Sequence, residues 1–141
     1  FQPQYPISKL NHQSRIIIPS LNMDLEIFPA RIIRSSWETT TQGISHLSSS
    51  PIPGEKGNSI LYGHNWTNLL GNLTKIRPGD AINIVYNNSE KKVFIAKYIN
   101  IVGPYDTEIL VNTTDTRITL YTCTGFLDTK RFVVTAILQK T

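Results

Sequence analysis

The chain contains one cysteine, Cys123, and its surroundings favour a reactive thiol over a packing residue. A lone cysteine cannot form a disulfide within the chain, so its role depends on whether the thiol is ionised. Cys123 ends the apolar run 117–123, and Arg131 begins a second such run at 131–138, with turn-forming residues between them. If the two runs pair as a hairpin, the guanidinium flanks the same loop as the thiol and favours a negative charge there. Local sequence alone leaves a buried structural cysteine as the alternative.

His64 is the third residue that could take part in this chemistry. It follows the apolar segment 59–62 and stands beside Gly63 at a predicted strand-to-loop junction, where side chains are often presented to a cleft. An unperturbed thiol is only a few per cent ionised at neutral pH, and a nearby histidine can accept and donate protons. Each of these residue types is more often structural than functional when taken alone. The residue types alone therefore leave open whether these three residues are catalytic or structural.

The elements that would position these residues are predominantly β-strands. Short apolar or alternating runs separated by turn residues are typical of an antiparallel barrel or sandwich. The predicted strands are 15–18, 25–28, 59–62, 81–86, 92–101, 118–122 and 132–138. Two short helices are predicted at 30–37, with Trp37 on the core face, and at 67–73. A third helical turn is expected near 106–110.

Length and composition indicate one domain that can bury its own core. The chain has 141 residues and a formal net charge of +4, and its basic residues are dispersed. We therefore expect no nucleic-acid partner. Residues 1–14 lack periodicity and are predicted to form an N-terminal arm, with one domain at 15–141. No apolar stretch approaches the ~20 residues of a membrane helix, but the chain begins at Phe1, so we expect an upstream signal or anchor segment to have been removed.

The segment Thr119-Leu120-Tyr121-Thr122-Cys123 resembles the Thr-Leu-x-Thr-Cys signature of sortases, the cysteine transpeptidases that attach proteins to bacterial cell walls. Arg131 stands where that family has its essential arginine. Further segments similar to the family are the Ile-Pro segment at 18–25, Gly-Ile-Ser-His at 43–46, the Pro-Gly segment at 53–58, Gly-His at 63–64 and Leu-x-x-Ile-x-x-Gly-Asp at 73–80. These segments occur in the family's order and extend over 16–138, nearly the whole chain.

The resemblance implies an all-β fold, a closed barrel of about eight strands in which His64, Cys123 and Arg131 meet in a groove. It also implies the reaction. The Cys123 thiolate would attack the carbonyl after Thr in a Leu-Pro-x-Thr-Gly-like sorting signal, giving a thioacyl intermediate. His64 would protonate the leaving amine and then deprotonate the incoming one. Arg131 would hold the substrate or stabilise the oxyanion.

The resemblance further suggests substrate contacts, partners and a location. Candidate substrate-binding residues are Thr122, Tyr121, Trp66 and His46; Trp66 could line the groove or cover His64, and His46 could be a groove or a loop residue. The implied partners are proteins with a C-terminal sorting signal and an amine acceptor on a cell-wall precursor or another protein. No metal or organic cofactor is implied. We expect an extracytoplasmic monomer whose membrane anchor lies outside this chain.

Departures from the family narrow the type of sortase. Residues 1–11 contain no Asp-Pro-aromatic tripeptide, so we expect no occluding lid. Asp106, Glu108 and Asp115 are too scattered to indicate a calcium site. A cell-wall L,D-transpeptidase is disfavoured because His64 lies 59 residues before Cys123, whereas that family places its histidine about sixteen residues upstream. A non-catalytic adhesion or wall-binding β domain would have no need of all three residues.

Overall fold

Eight strands close into a barrel that carries a small separate hairpin. The structure is a computed structural model in which residues 14–124 and 128–140 are described, with positions 123 and 124 described for their backbone only. The predicted arm therefore lies outside the described residues up to position 13. At the edge of the described part, Ser14 is buried, and its carbonyl accepts a hydrogen bond from the N–H of Ile27.

The strands are β1 (Arg15–Ile18), β2 (Met23–Ala30), β3 (Ile32–Ile33), β4 (Ser36–Trp37), β5 (Ile44–Leu47), β6 (Gly57–Gly63), β7 (Ala81–Val85), β8 (Lys91–Val102), β9 (Thr116–Thr124) and β10 (Lys130–Leu138). Their order around the barrel is β1-β2-β5-β6-β9-β10-β8-β7, and β3 pairs with β4 in the hairpin. The pairs β2–β5 and β6–β9 are parallel, and the other pairs are antiparallel. The all-β barrel expected from the sequence is confirmed.

Three short 3₁₀ helices occur in the described residues, at Pro19–Leu21, Gly71–Lys75 and Glu108–Leu110. The last confirms the helical turn predicted near 106–110. The helix predicted at 67–73 is instead a turn followed by the short 3₁₀ helix. Among the described residues there is no helix with the length and hydropathy needed to cross a lipid bilayer.

The helix predicted at 30–37 is wrong, because β2 runs on to Ala30 and is followed by the β3–β4 hairpin. The i, i+3, i+7 spacing of Ala30, Ile33 and Trp37 imitates a helical face. Arg34 and Ser35 however take positive φ angles of 50° and 66°, which is typical of a two-residue hairpin turn. Tertiary packing holds Trp37, since its ring contacts aromatic residues on two barrel strands, so it is not a helix-face residue.

Strand β5 was not predicted from the sequence. All four of its residues are buried, so the alternation of polar and apolar side chains that marks a half-exposed strand is absent. The barrel interior that β5 helps to enclose is filled mainly by isoleucine, leucine and phenylalanine side chains. β-Branched side chains suit the pleated surface of a strand, and each fully buried one contributes roughly 1.5–3 kcal/mol. This apolar interior gives the strand ends a rigid support.

Candidate active site

The barrel register brings the three predicted catalytic positions to one end of three adjacent strands. In the antiparallel β9–β10 ladder, Cys123 is the direct partner of Arg131. In the parallel β6–β9 ladder, Gly63 is the partner of Thr122. The next residue along each of those two strands is His64 and Cys123, respectively. Residues that lie 59 positions apart in sequence therefore share the same strand-end edge.

His64 is half-buried and stacks on Trp66. The two ring centroids are 4.6 Å apart and the planes differ by 10°. The His64 carbonyl accepts a hydrogen bond from the Leu70 N–H at 3.0 Å, and the Trp66 carbonyl accepts from the Gly71 N–H at 2.8 Å. A Cβ on Gly71 would lie 2.6 Å from the Asn65 carbonyl oxygen, so glycine is required for this close turn. Trp66 both covers His64 and lines the cleft described below.

Arg131 is held by main-chain carbonyls at the start of β10. Its Nη1 donates to the Asp128 carbonyl at 3.0 Å and to the Lys130 carbonyl at 3.1 Å. The Asp128 carboxylate accepts a hydrogen bond from Asn65 Nδ2 at 2.9 Å. Asp128 therefore joins the segment that carries His64 to the segment that carries Arg131. Its positive φ of 57° is a conformation that aspartate tolerates better than most residues.

Thr122 and Tyr121 also lie at this edge, with different surroundings. Thr122 is buried, and its hydroxyl donates to the Gly63 carbonyl at 2.8 Å, across the parallel ladder. Tyr121 stacks on Tyr62, with ring centroids 5.5 Å apart and an interplanar angle of 21°. Trp37 packs edge-on against both tyrosines, at 5.2 Å from Tyr62 and 6.1 Å from Tyr121. The three rings form an aromatic floor beside the strand ends.

Tyr62, one of the three rings of this floor, stays neutral in the physiological pH range. Burial raises the pKa of Tyr62 to about 12, and the negative charge of Glu38 adds to the effect against an opposing hydrogen bond with Ser45. The neutral Tyr62 hydroxyl donates to the Glu38 carbonyl at 2.5 Å. This bond ties the segment after β4 to β6 and fixes one side of the aromatic floor.

A cleft of about 550 Å³ opens over the aromatic floor and the strand ends. Its size is within the range of pockets that bind peptides or small molecules. One side is formed by His64, Trp66 and Arg131 with their neighbours. The β8–β9 loop also lines the cleft and contributes Gly103, Pro104, Tyr105, Asp106, Thr107, Ile109 and Leu110. We refer to residues 103–112 as the groove wall.

His46, a predicted substrate-binding residue, is not among the side chains that line the cleft. It lies on β5 and is 1% exposed, and its Nε2 lies 2.8 Å from the Pro51 carbonyl and 3.2 Å from Ser50 Oγ. Because a carbonyl can only accept, Nε2 carries the proton. Burial lowers the pKa of His46 to about 4, against the opposing effect of the hydrogen bonds that His46 makes to Pro51 and Ser50. His46 is therefore a neutral buried imidazole.

Sequence reasoning missed several residues of the cleft. The sequence predicts Tyr62 only as the end of a strand, whereas the structure pairs it with Tyr121 across β6–β9. Two tyrosines at strand positions just before the Gly63-His64 and Thr122-Cys123 steps are a signal that could have indicated an aromatic floor. Asp128 and the groove wall gave no comparable signal, because loop residues carry no periodicity.

Comparison with known proteins matches this chain to sortases. The family model described as the sortase domain matches residues 16–139. Sortase A of Listeria monocytogenes serovar 1/2a is 34% identical over 134 residues, which is 89% of this chain and 56% of the relative. Sortase A of Bacillus anthracis is 28% identical over 131 residues, covering 90% of this chain and 60% of the relative. The chain thus spans less than two thirds of these curated relatives.

Solved structures with the same fold include members of two sortase classes. Sortase C1 of Streptococcus agalactiae, in complex with MTSET, has a TM-score of 0.80 at 26% identity, covering 94% of this chain and 72% of that one. A lid mutant of sortase A from Corynebacterium diphtheriae has a TM-score of 0.78 at 28% identity, covering 92% of this chain and 71% of that one.

Proposed function

The chain belongs to the sortase family, and on that premise we propose that it is a cysteine transpeptidase acting on sorting-signal peptides. Residues 15–141 would be its catalytic domain, with Cys123 as nucleophile, His64 as proton donor and acceptor, and Arg131 as the cationic group. The observation that carries the proposal is the strand register. It pairs Cys123 with Arg131 and aligns the Gly63-His64 step with the Thr122-Cys123 step.

The proposed reaction proceeds in two halves. The Cys123 thiolate attacks the carbonyl carbon of Thr in a Leu-Pro-x-Thr-Gly-like signal, and the Thr–Gly bond breaks as His64 gives its proton to the leaving amine. A thioester between Cys123 and the Thr acyl group remains. An incoming primary amine then loses a proton to His64, attacks the thioester carbonyl and releases the cysteine. The products are a new amide bond and the free enzyme.

The cleft offers contacts that suit these steps. The carbonyls of Asp128 and Lys130 anchor Arg131 Nη1, which restricts the orientation of the planar guanidinium. A fixed planar donor set can bind a developing oxyanion or a peptide carbonyl without rearranging. Tyr121 and Trp66 supply apolar ring surface for the peptide, and Thr122 supports the strand end through its bond to Gly63. His46 is too deeply buried to belong to this set.

The biological setting proposed for this chemistry is the outside of a bacterial cell. The acyl donors would be surface proteins with a C-terminal sorting signal, and the acceptor an amine on a cell-wall precursor or another protein. A membrane anchor outside this chain would keep the monomeric enzyme near both.

The direct test is to incubate the protein with a panel of labelled Leu-Pro-x-Thr-Gly peptides and primary amines, then analyse it by mass spectrometry. We expect an acyl adduct on Cys123 and an amide product whose yield depends on the added amine. Cys123→Ala should form no adduct while keeping the fold by circular dichroism. Arg131→Lys should lose on the order of 10²-fold in rate, since a point charge cannot replace a planar donor fork.

Two outcomes would contradict the proposal. If no peptide gives an adduct while thiol reagents still label Cys123, the barrel is a non-catalytic module. If Cys123→Ala unfolds, the cysteine has a structural role instead.

A further inference from the structure

Asn58 links the barrel to the groove wall through its buried side-chain amide. The residue lies on β6 and is 4% exposed. Its Nδ2 donates to the carbonyls of Ile109 at 2.9 Å and Val111 at 3.0 Å. Its Oδ1 accepts from the Thr119 hydroxyl at 2.6 Å, and its main-chain N–H donates to Asn112 Oδ1 at 2.9 Å. All four partners belong to the wall or to the neighbouring strand β9.

The orientation of this amide is determined by its partners. Two carbonyl oxygens face one end, and only the NH₂ group can donate to both. The hydroxyl of Thr119 then donates to the oxygen at the other end. Thr119 is itself buried, so the Asn58 amide bridges β9 and the wall with both of its ends satisfied. Each of these bonds would be costly to leave unmade in such a buried position.

Within the wall, short-range hydrogen bonds shape the turn. Leu110 N–H donates to the Thr107 carbonyl, and Val111 N–H donates to the Glu108 carbonyl. Such bonds define the turn but do not set its distance from the barrel. Contacts with the barrel do so. Leu110 packs against the small apolar cluster of Ala30, Leu47, Ile60 and Tyr62. Asn58 adds directed hydrogen bonds to Ile109, which lines the cleft, and to Val111, next to Leu110.

We propose that Asn58 is a positioning residue that holds the groove wall, residues 103–112, in place for binding of the acyl-donor peptide. This inference rests on the proposed function. Asn58 does not act on the chemical step, because it lies six residues before His64. Six strand residues span roughly 20 Å, so the Asn58 amide is remote from the strand ends that carry the reacting groups. Its effect on peptide binding is transmitted through the wall alone.

The test compares substitutions of matched shape. Asn58→Asp keeps the size of the side chain but replaces the donating NH₂ with an oxygen that faces two carbonyls. Thr119→Val removes only the hydroxyl donor, and Thr119→Ser restores it. Asn88→Asp is the control, because Asn88 Oδ1 in the β7–β8 turn accepts from the Glu90 N–H, as a carboxylate oxygen can. Peptide affinity is measured by titrating a labelled Leu-Pro-x-Thr-Gly peptide into each variant. Every variant in this titration also carries Cys123→Ala, so that the peptide binds without acylating the protein.

We expect Asn58→Asp to weaken peptide binding about ten-fold or more, the equivalent of one lost buried hydrogen bond. In Asn58→Asp with Cys123 intact, the rate of acylation at saturating peptide should differ from that of the wild type by less than about three-fold. Amide hydrogen exchange should rise within 103–112 and stay unchanged at β9 and β10. Thr119→Val should show a smaller effect of the same kind, and Thr119→Ser and Asn88→Asp should behave like the wild type.

Unchanged peptide affinity in Asn58→Asp would overturn the inference, as would unchanged exchange in the groove wall. A loss of acylation rate at saturation with normal affinity, or a rise of exchange throughout the barrel, would also overturn it. Failure of the proposed function gives a different pattern. The wild-type protein would then form no acyl adduct, while the exchange measurement would still report whether Asn58 holds the wall.

Discussion

Acid should destabilise this barrel through His46. The imidazole is 1% exposed, its Nε2–H donates to the Pro51 carbonyl, and its Nδ1 is buried with no hydrogen-bond partner among the described residues. Protonation would create a second N–H with no acceptor in a poorly solvated place. Burial accordingly lowers the pKa of His46 to about 4 in the folded protein, from 6.5 in the unfolded chain.

The direction of the effect follows from these two values. Between pH 6.5 and 4 the unfolded chain binds a proton that folded His46 does not, so the free energy of unfolding falls as the pH falls. The loss attributable to His46 is about 2 kcal/mol at pH 5 and approaches about 3 kcal/mol below pH 4. At pH 7 the contribution of the group is almost fully present.

Urea denaturation at pH 7, 6 and 5 measures this loss when the wild type is compared with His46→Gln. The glutamine amide can keep a donor near the Pro51 carbonyl but has no titratable group. We expect the difference in unfolding free energy between the two proteins to shift by about 2 kcal/mol in favour of His46→Gln from pH 7 to pH 5. His64→Gln keeps His46 and should retain the acid sensitivity of the wild type.

Parallel pH dependence in the wild type and His46→Gln would refute this reasoning. If His46→Gln does not fold, the imidazole of the wild type can be titrated by NMR instead. A native-state pKa for His46 near 6.5 would then contradict the argument from burial.

Three substitutions near the candidate site test the contacts that hold its residues in position. Thr122→Val should lower the free energy of unfolding by about 1–2 kcal/mol in urea denaturation, because the Gly63 carbonyl loses a buried donor, and Thr122→Ser should not. Gly71→Ala should reduce acylation of the peptide and cost about 1–3 kcal/mol of stability, since the new Cβ would lie 2.6 Å from the Asn65 carbonyl; wild-type activity would show that the turn is not close-packed. Asp128→Gly keeps the positive φ but removes the carboxylate that binds Asn65. A double-mutant cycle with Asn65→Ala should therefore give a coupling energy of roughly 1 kcal/mol in the acylation barrier. Additive effects of the two substitutions would exclude such a link.

Much of the fold could be predicted because most barrel strands consist of short apolar and β-branched runs. Strand positions such as 15–18, 81–86 and 132–138 agree closely with the structure. The errors have physical causes. At 30–37 a helix-like spacing gave the wrong period, because two residues with positive φ and the packing of Trp37 determine the local conformation. At β5, burial on both faces removed the alternation by which a strand is recognised.

The sequence by itself determined the identities of the candidate catalytic residues and the neighbourhood of Cys123 and Arg131 in one hairpin. That hairpin is local, so its two strands could be paired from their separation along the chain. The resemblance implied that His64 meets them, and the tertiary structure supplies the strand register that brings the His64 position to the same edge. The tertiary structure alone decided that His46 is buried and that the loop after β8 lines the cleft. The parallel β6–β9 ladder joins segments more than fifty residues apart, and no local pattern specifies such a partner. It depends on how the whole barrel closes around its apolar core.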